Sequence, residues 1–214
     1  MFEYFEHGAL TTQGVTPLSE MKESLKFLEV LNPSDYIFDV SFTHRIQAFR
    51  NLISLNIWVF CQDGDTRCSF ELNDDDVAKL VIALPQLDTL FLGYPCFRNT
   101  CATTVVCLLS ISTYCVELRN LRIHFNTTNI VDDLKTALED PQFEALRSRP
   151  RCPLSYLEVH RLPLILDEPG FETVGAGMID IFPSLKRCGG ASGSWEKLSE
   201  RIAVLQEMRT FQTS

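Results

Sequence analysis

Two stretches, LPQLDTLFLG at 84–93 and CVELRNLRIHFN at 115–126, carry one pattern. Leu87-x-x-Leu90-x-Leu92 in the first is matched by Leu118-x-x-Leu121-x-Ile123 in the second. Aliphatic residues at alternate positions over so short a run predict a strand with one buried face. Between the copies lies TTVVCLLSISTYC at 103–115, long enough for a helix that returns the chain to the start of the next strand. Asn126, three residues beyond the second copy, is placed to satisfy the backbone of the turn that follows.

The pattern recurs on both sides. Leu52-x-x-Leu55-x-Ile57 and Leu154-x-x-Leu157-x-Val159 are further copies, and 185–188 is a degenerate fifth strand. From Leu52 to Leu87, Leu118, Leu154 and Leu185 the first leucines are spaced by 35, 31, 36 and 31 residues. One such match in an apolar chain is weak; four in sequence, each behind a helix-like stretch and a turn, imply an internal repeat. The pattern resembles the leucine-rich repeat, whose unit is usually about 20–29 residues long. The longer units here imply full helices and inserted loops. The expected fold is α/β: a curved solenoid with parallel strands on the concave face and helices on the convex face.

Punctuation supplies the remaining elements. Thr16-Pro17 reads as a helix start, with Leu18, Met21, Leu25 and Leu28 on one face and Asn32-Pro33 as the stop. Tyr36–Val40 reads as a strand. Asn73, followed by Asp74, Asp75 and Asp76, caps a helix with Val77, Leu80, Val81 and Leu84 inward, and Pro85 closes it. Leu134 and Leu138 define the inner side of another helix, which Pro141 ends; 141–153 is expected as a surface loop. Pro169 opens a helix burying Val174, Met178, Ile181 and Phe182. GGASG at 189–193 is expected as a flexible turn. Ser194 then starts a final helix with Trp195, Leu198, Ile202 and Leu205 on its apolar side. The organisation expected is an N-terminal helical cap at 1–50, whose first 15 residues have no clear period, a repeat array at 51–188 and a capping helix at 189–214.

Composition narrows the function. Hydrophobic residues make up 45% of the 214, enough for a sizeable core. The formal net charge of −9, from 28 acidic and 19 basic residues, disfavours nucleic acid as a partner. No apolar run is long enough to span a membrane. The N-terminus, MFEYFEHGAL, lacks the basic start and apolar run of a secretory leader. An intracellular location, cytoplasmic or nuclear, is therefore expected, with all eight cysteines as free thiols. Asn126-Thr127-Thr128 is a glycosylation acceptor only if the chain is secreted.

From CSFELNDDDVAKLVIALPQLDTLFLGYPC through LLSISTYCVELRNLRIHFN, and on to IFPSL at 181–185 and the W-E-K-L helix, the sequence resembles fungal F-box/leucine-rich-repeat proteins. The resemblance covers about residues 50–207. It implies repeats that recruit a protein substrate and an N-terminal F-box that joins Skp1 and cullin in a ubiquitin ligase. Residues 1–50 contain no LPxEL followed by IFxxL, so a Skp1 partner is implied only where an F-box lies upstream. A stand-alone repeat scaffold without a ubiquitin role is the alternative.

Strand alternation sends the residues between the leucines to the concave face. Trp58, Phe91, Arg122, His124, Tyr156, Glu158 and His160 fall at such positions and form the expected protein-binding set. Aromatic and Arg side chains are the types that most often anchor protein interfaces. Chemistry is faint elsewhere. His124, His160, Cys96 and Cys101 lack the paired spacing of a zinc site, so no metal is expected. Gly190-Ala-Ser-Gly-Ser194 misses the nucleophile-elbow pattern by its last residue, and there is no phosphate-binding loop. No catalytic residue and no cofactor are expected; a hydrolase or metal enzyme is a remote alternative.

Overall fold

A computed structural model describes residues 2–6, 9–10, 21–32, 38–59, 70–93, 101–146, 152–159, 164–190 and 192–212. The chain builds one open, eight-stranded sheet. Its strands are β1 (Phe2–Glu6), β2 (Ala9–Leu10), β3 (Phe27–Asn32), β4 (Ser54–Val59), β5 (Thr89–Leu92), β6 (Asn120–Ile123), β7 (Tyr156–Val159) and β8 (Arg187–Gly189). The order is β2-β1-β3-β4-β5-β6-β7-β8; β2 pairs antiparallel with β1, and every other pairing is parallel. The four strands expected from the repeat pattern are therefore parallel and adjacent in chain order.

The register lines up equivalent residues. Leu28, Leu55, Leu90, Leu121 and Leu157 are successive partners, as are Val30, Ile57, Leu92, Ile123 and Val159. All ten are buried and belong to one continuous core. Burying one such side chain contributes about 1.5–3 kcal/mol, and no strand covers its own.

Helices pack over that face. They are α1 (Val40–Ile46), α2 (Asp74–Ala83), α3 (Cys107–Tyr114), α4 (Ile130–Glu139), α5 (Pro141–Leu146), α6 (Glu168–Ile181) and α7 (Gly193–Gln212). In α2, Asn73 accepts from the N–H of Asp76 while the Asp76 carboxylate accepts from the N–H of Asn73. This reciprocal cap satisfies two of the N–H groups that a helix start leaves open. Asp39 caps α1 through Ser41 and Phe42, and the Ser41 hydroxyl, its strongest partner, helps hold its carboxyl below the usual range. Asp167 caps α6, with Pro169 in the first turn.

Two kinds of hydrogen bond stitch each unit to the next. The carbonyls of Lys26, Ile53, Asp88 and Ser155 each accept two N–H groups from the following strand, as Asp88 does from Arg119 and Asn120 at 2.8 and 3.1 Å. A turn closes ahead of the strands, with Leu52 bonded to Phe49, Leu87 to Leu84, Leu118 to Cys115 and Leu185 to Phe182. At the other end of the strands, the buried Thr103 hydroxyl donates to the Leu72 carbonyl and the Asn126 N–H donates to the Thr103 carbonyl. Asn126 itself is half-buried, and its side chain accepts from the N–H of Thr128. It forms a local turn, and Thr103 holds the buried position expected for it.

Three expectations are corrected. In the helix read from Pro17 to Asn32, Phe27–Asn32 is strand β3 and Met21–Ser24 is a short turn, while residues 17–20 lie outside the described residues. The segment 1–50 thus contributes strands β1, β2 and β3 to the sheet as well as helix α1. The surface loop read at 141–153 opens with α5, which buried Phe143 ties down. The strand read at Tyr36–Val40 lies partly outside the described residues; Phe38 makes an isolated bridge to Phe70, their rings stacked 5.7 Å apart, and Val40 begins α1.

Cys101, Cys107, Cys115, Cys152 and Cys188 are free thiols, all buried; Cys61, Cys68 and Cys96 lie outside the described residues. Burial raises the last four of these five, Cys152 and Cys188 to about 12 and Cys107 and Cys115 well above the ordinary thiol range. In the unfolded chain the same thiols ionise near pH 8.5. The folded state therefore holds these protons more tightly, and stability that is complete below about pH 8.5 falls as the pH rises towards the folded values. Urea denaturation at pH 8 and pH 10 tests this: a loss of about 1.4 kcal/mol per pH unit per thiol is expected above pH 9. Serine or alanine at Cys188 should remove one such contribution.

Candidate functional site: the open face of the sheet

The strand positions that do not face the helices form rows across the sheet, two of them running from β3 to β8 and a third holding Leu31 and Trp58. The register aligns Phe27, Ser54, Thr89, Asn120, Tyr156 and Arg187 in one row. The next row holds Glu29, Asn56, Phe91, Arg122, Glu158 and Gly189. Parallel pairing without slippage fixes both rows, because a one-residue shift would turn every leucine outward.

Arg122 occupies the centre. Its guanidinium carbon lies 4.7 Å from the Phe91 ring centroid and 5.6 Å from that of Trp58. Trp58 and Phe91 meet edge to face, 6.2 Å apart at 79°. One guanidinium nitrogen of Arg122 reaches Glu158 at 2.6 Å; the two side chains are 27% and 25% exposed. Burial first, then the charge of Glu158, raises the Tyr156 phenol above its ordinary range. At the other end the Trp58 indole N–H donates to Glu29 at 2.9 Å. A continuous run of charged and aromatic side chains thus extends from β3 to β7. Two buried polar atoms in this row, Asn56 Oδ1 and Arg122 Nε, have no hydrogen-bond partner among the described residues.

The structure brings Trp58, Phe91, Arg122, Glu158 and Tyr156 together, and all are partly exposed. His124 is placed differently: it is fully buried and offers no surface. Gly93, just after β5, lies beside it, with a φ of +95° that suits glycine and no side chain to take up the space. A Cβ there would lie 3.0 Å from His124 Cβ. His160 lies outside the described residues.

Glu29 and Phe27 were missed because their strand was read as a helix. The signal was present: Leu25-x-x-Leu28-x-Val30 is another copy of the repeat pattern, and all three residues are buried. Among the described residues no three His, Cys, Asp or Glu side chains gather as a metal site, and no helix is long and apolar enough to cross a membrane. The chain matches no protein-family model, no curated protein and no solved structure.

The half-buried Arg122–Glu158 pair tests how far this face is preorganised. Arg122→Ala removes an ion pair and two ring contacts and leaves Glu158 without its cation. A double-mutant cycle of Arg122→Ala with Glu158→Ala, followed by urea denaturation, should give a coupling of about 1 kcal/mol. Arg122→Lys should recover only part of the loss, since an ammonium cannot stack as a flat guanidinium does.

Proposed function

We propose that this chain is a leucine-rich-repeat-like solenoid that recognises a protein on the open, concave face of its sheet. The observation that carries the reading is the Trp58–Phe91–Arg122–Glu158–Tyr156 run. Preformed aromatic and Arg groups supply contact area at low entropic cost, as binding hot spots do. The net charge of −9 and the absence of a basic patch in the sequence support a protein over a nucleic acid. The resemblance to fungal F-box/leucine-rich-repeat proteins supports a more specific role, the substrate-binding region of an adaptor in a Skp1–cullin ubiquitin ligase. That role requires an F-box in the same polypeptide.

A photo-cross-linking amino acid tests the surface directly. Placed at Tyr156 it should form a specific adduct in cells, while the same group at Lys135 on α4, an exposed helix position, should not. Adducts from Lys135 and none from Tyr156 would move recognition to the helical side. Trp58→Ala should weaken the Tyr156 adduct at least tenfold, as loss of an interface anchor of about 2 kcal/mol predicts.

A further inference from the structure

We infer that the protein bound on the open face presents an arginine, which Glu29 and Trp58 receive. The inference rests on the open face being the recognition surface, and it names the chemistry that this surface selects. From β3 to β8 the two long rows hold the charged residues Glu29, Arg122, Glu158 and Arg187. Arg122 and Glu158 neutralise each other. Arg187, on β8, is five strand intervals from Glu29. That is about 24 Å at ~4.8 Å per interval, well beyond the screening length of about 8 Å at physiological salt. Lys26, close to Glu29 in the chain, falls on the alternation of the buried Leu28 and Val30 and so lies off this face.

Glu29 is therefore a carboxylate whose charge no described residue of this face offsets. It is partly exposed, and its hydrogen bond among the described residues comes from the Trp58 indole N–H at 2.9 Å. That donor is neutral and occupies Oε1, so the charge stays in place and Oε2 remains able to accept. The bond also ties the carboxylate to the partly exposed ring. A partner that covers Trp58 covers Glu29 with it. An apolar or acidic partner would then bury a charge without a counter-ion, which is strongly unfavourable. A cation removes that cost.

The face already shows how it holds a guanidinium. Arg122 lies over Phe91 and Trp58 and is paired with Glu158, so a flat cation stacks on rings while its N–H groups meet a carboxylate. Trp58 and Glu29 repeat that combination of ring and carboxylate at the β3 end of the run. Arginine fits it better than lysine, because the planar fork can stack and donate two N–H groups together, whereas an ammonium is a strongly hydrated point charge.

A phage-displayed library of random octapeptides, panned on the full chain, tests this with defined probes. Enriched peptides should carry an arginine. Its replacement by citrulline, which keeps the planar group and loses the charge, should weaken binding at least about tenfold by fluorescence anisotropy. Lysine in its place should weaken binding several-fold. Glu29→Gln should lose as much as the citrulline peptide, while Glu139→Gln, at an exposed carboxylate on α4, should leave affinity unchanged. A glutamine amide can still accept from the Trp58 indole, so Glu29→Gln should melt with the parent chain; the citrulline peptide probes the same contact without touching the fold. Of the two tryptophan indole N–H signals in an NMR spectrum, that of Trp58 should shift on binding and that of the fully buried Trp195 should not. Arginine-free peptides, a tolerated citrulline, equal losses from Glu29→Gln and Glu139→Gln, or no enrichment would overturn the inference. If cross-linking from Tyr156 still succeeds in that case, the open face recognises its partner through other groups, and the reading of protein recognition stands without the arginine.

Discussion

Every strand of the central array needs its neighbour to keep the same residues dry. Leu28, Leu55, Leu90, Leu121 and Leu157 form a file across five strands, and each is shielded by the members on either side and by the helix layer. A strand of four residues has too little apolar area to fold alone, so stability is a property of adjacency. The paired N–H groups accepted by Lys26, Ile53, Asp88 and Ser155 reinforce it, because they hold the start of each strand to the start of the one before.

The same file dictates the opposite face. Once the leucines are in register, side chains one residue away are in register too, and the chain has no freedom to scatter them. Phe91, Arg122 and Glu158 are remote in sequence and neighbours only because Leu90, Leu121 and Leu157 are. This explains how a guanidinium can sit over two rings and against a carboxylate without a loop to arrange it. Packing on the inner face serves as the positioning device for the outer one.

The sequence made this legible wherever period and punctuation agreed. Residues 87–92 and 118–123 follow a helix stop and alternate cleanly, and their strands form where the pattern placed them. At 25–30 two periods competed. Leu18, Met21, Leu25 and Leu28 suit a helix, whereas Leu25, Leu28 and Val30 suit the repeat, and only the presence of Ser54–Val59 as a pairing partner settles the choice. A strand's stabilisation comes from its neighbour, which local spacing does not describe. His124 illustrates a second limit. Its offset from the leucines marks it as outward, but it is fully buried, beside a glycine whose missing side chain leaves it room. Alternation predicts a direction; burial also depends on what the neighbouring strand leaves unfilled.

The end of the array joins these arguments. An edge strand exposes unpaired backbone groups, and β8 is short and covered by α7, whose Ser199 hydroxyl accepts from the N–H of Cys188 at 3.3 Å. Ion pairs Lys197–Glu168, Arg201–Glu172 and Arg209–Asp180 hold α7 alongside α6, at one constant offset of 29 residues. The Gly189-Gly190 pair, which composition alone marks as a flexible turn, is a packing solution. A Cβ on Gly189 would stand 2.4 Å from the Tyr156 hydroxyl, and one on Gly190 would stand 2.3 Å from Cδ1 of Trp195. One glycine lets a tyrosine lie across the open face, and the next lets a fully buried tryptophan seal the core beneath α7. The turn that leads into the closing helix therefore also makes room for Tyr156, so the last turn of the fold and the last member of the aromatic run meet at two adjacent glycines.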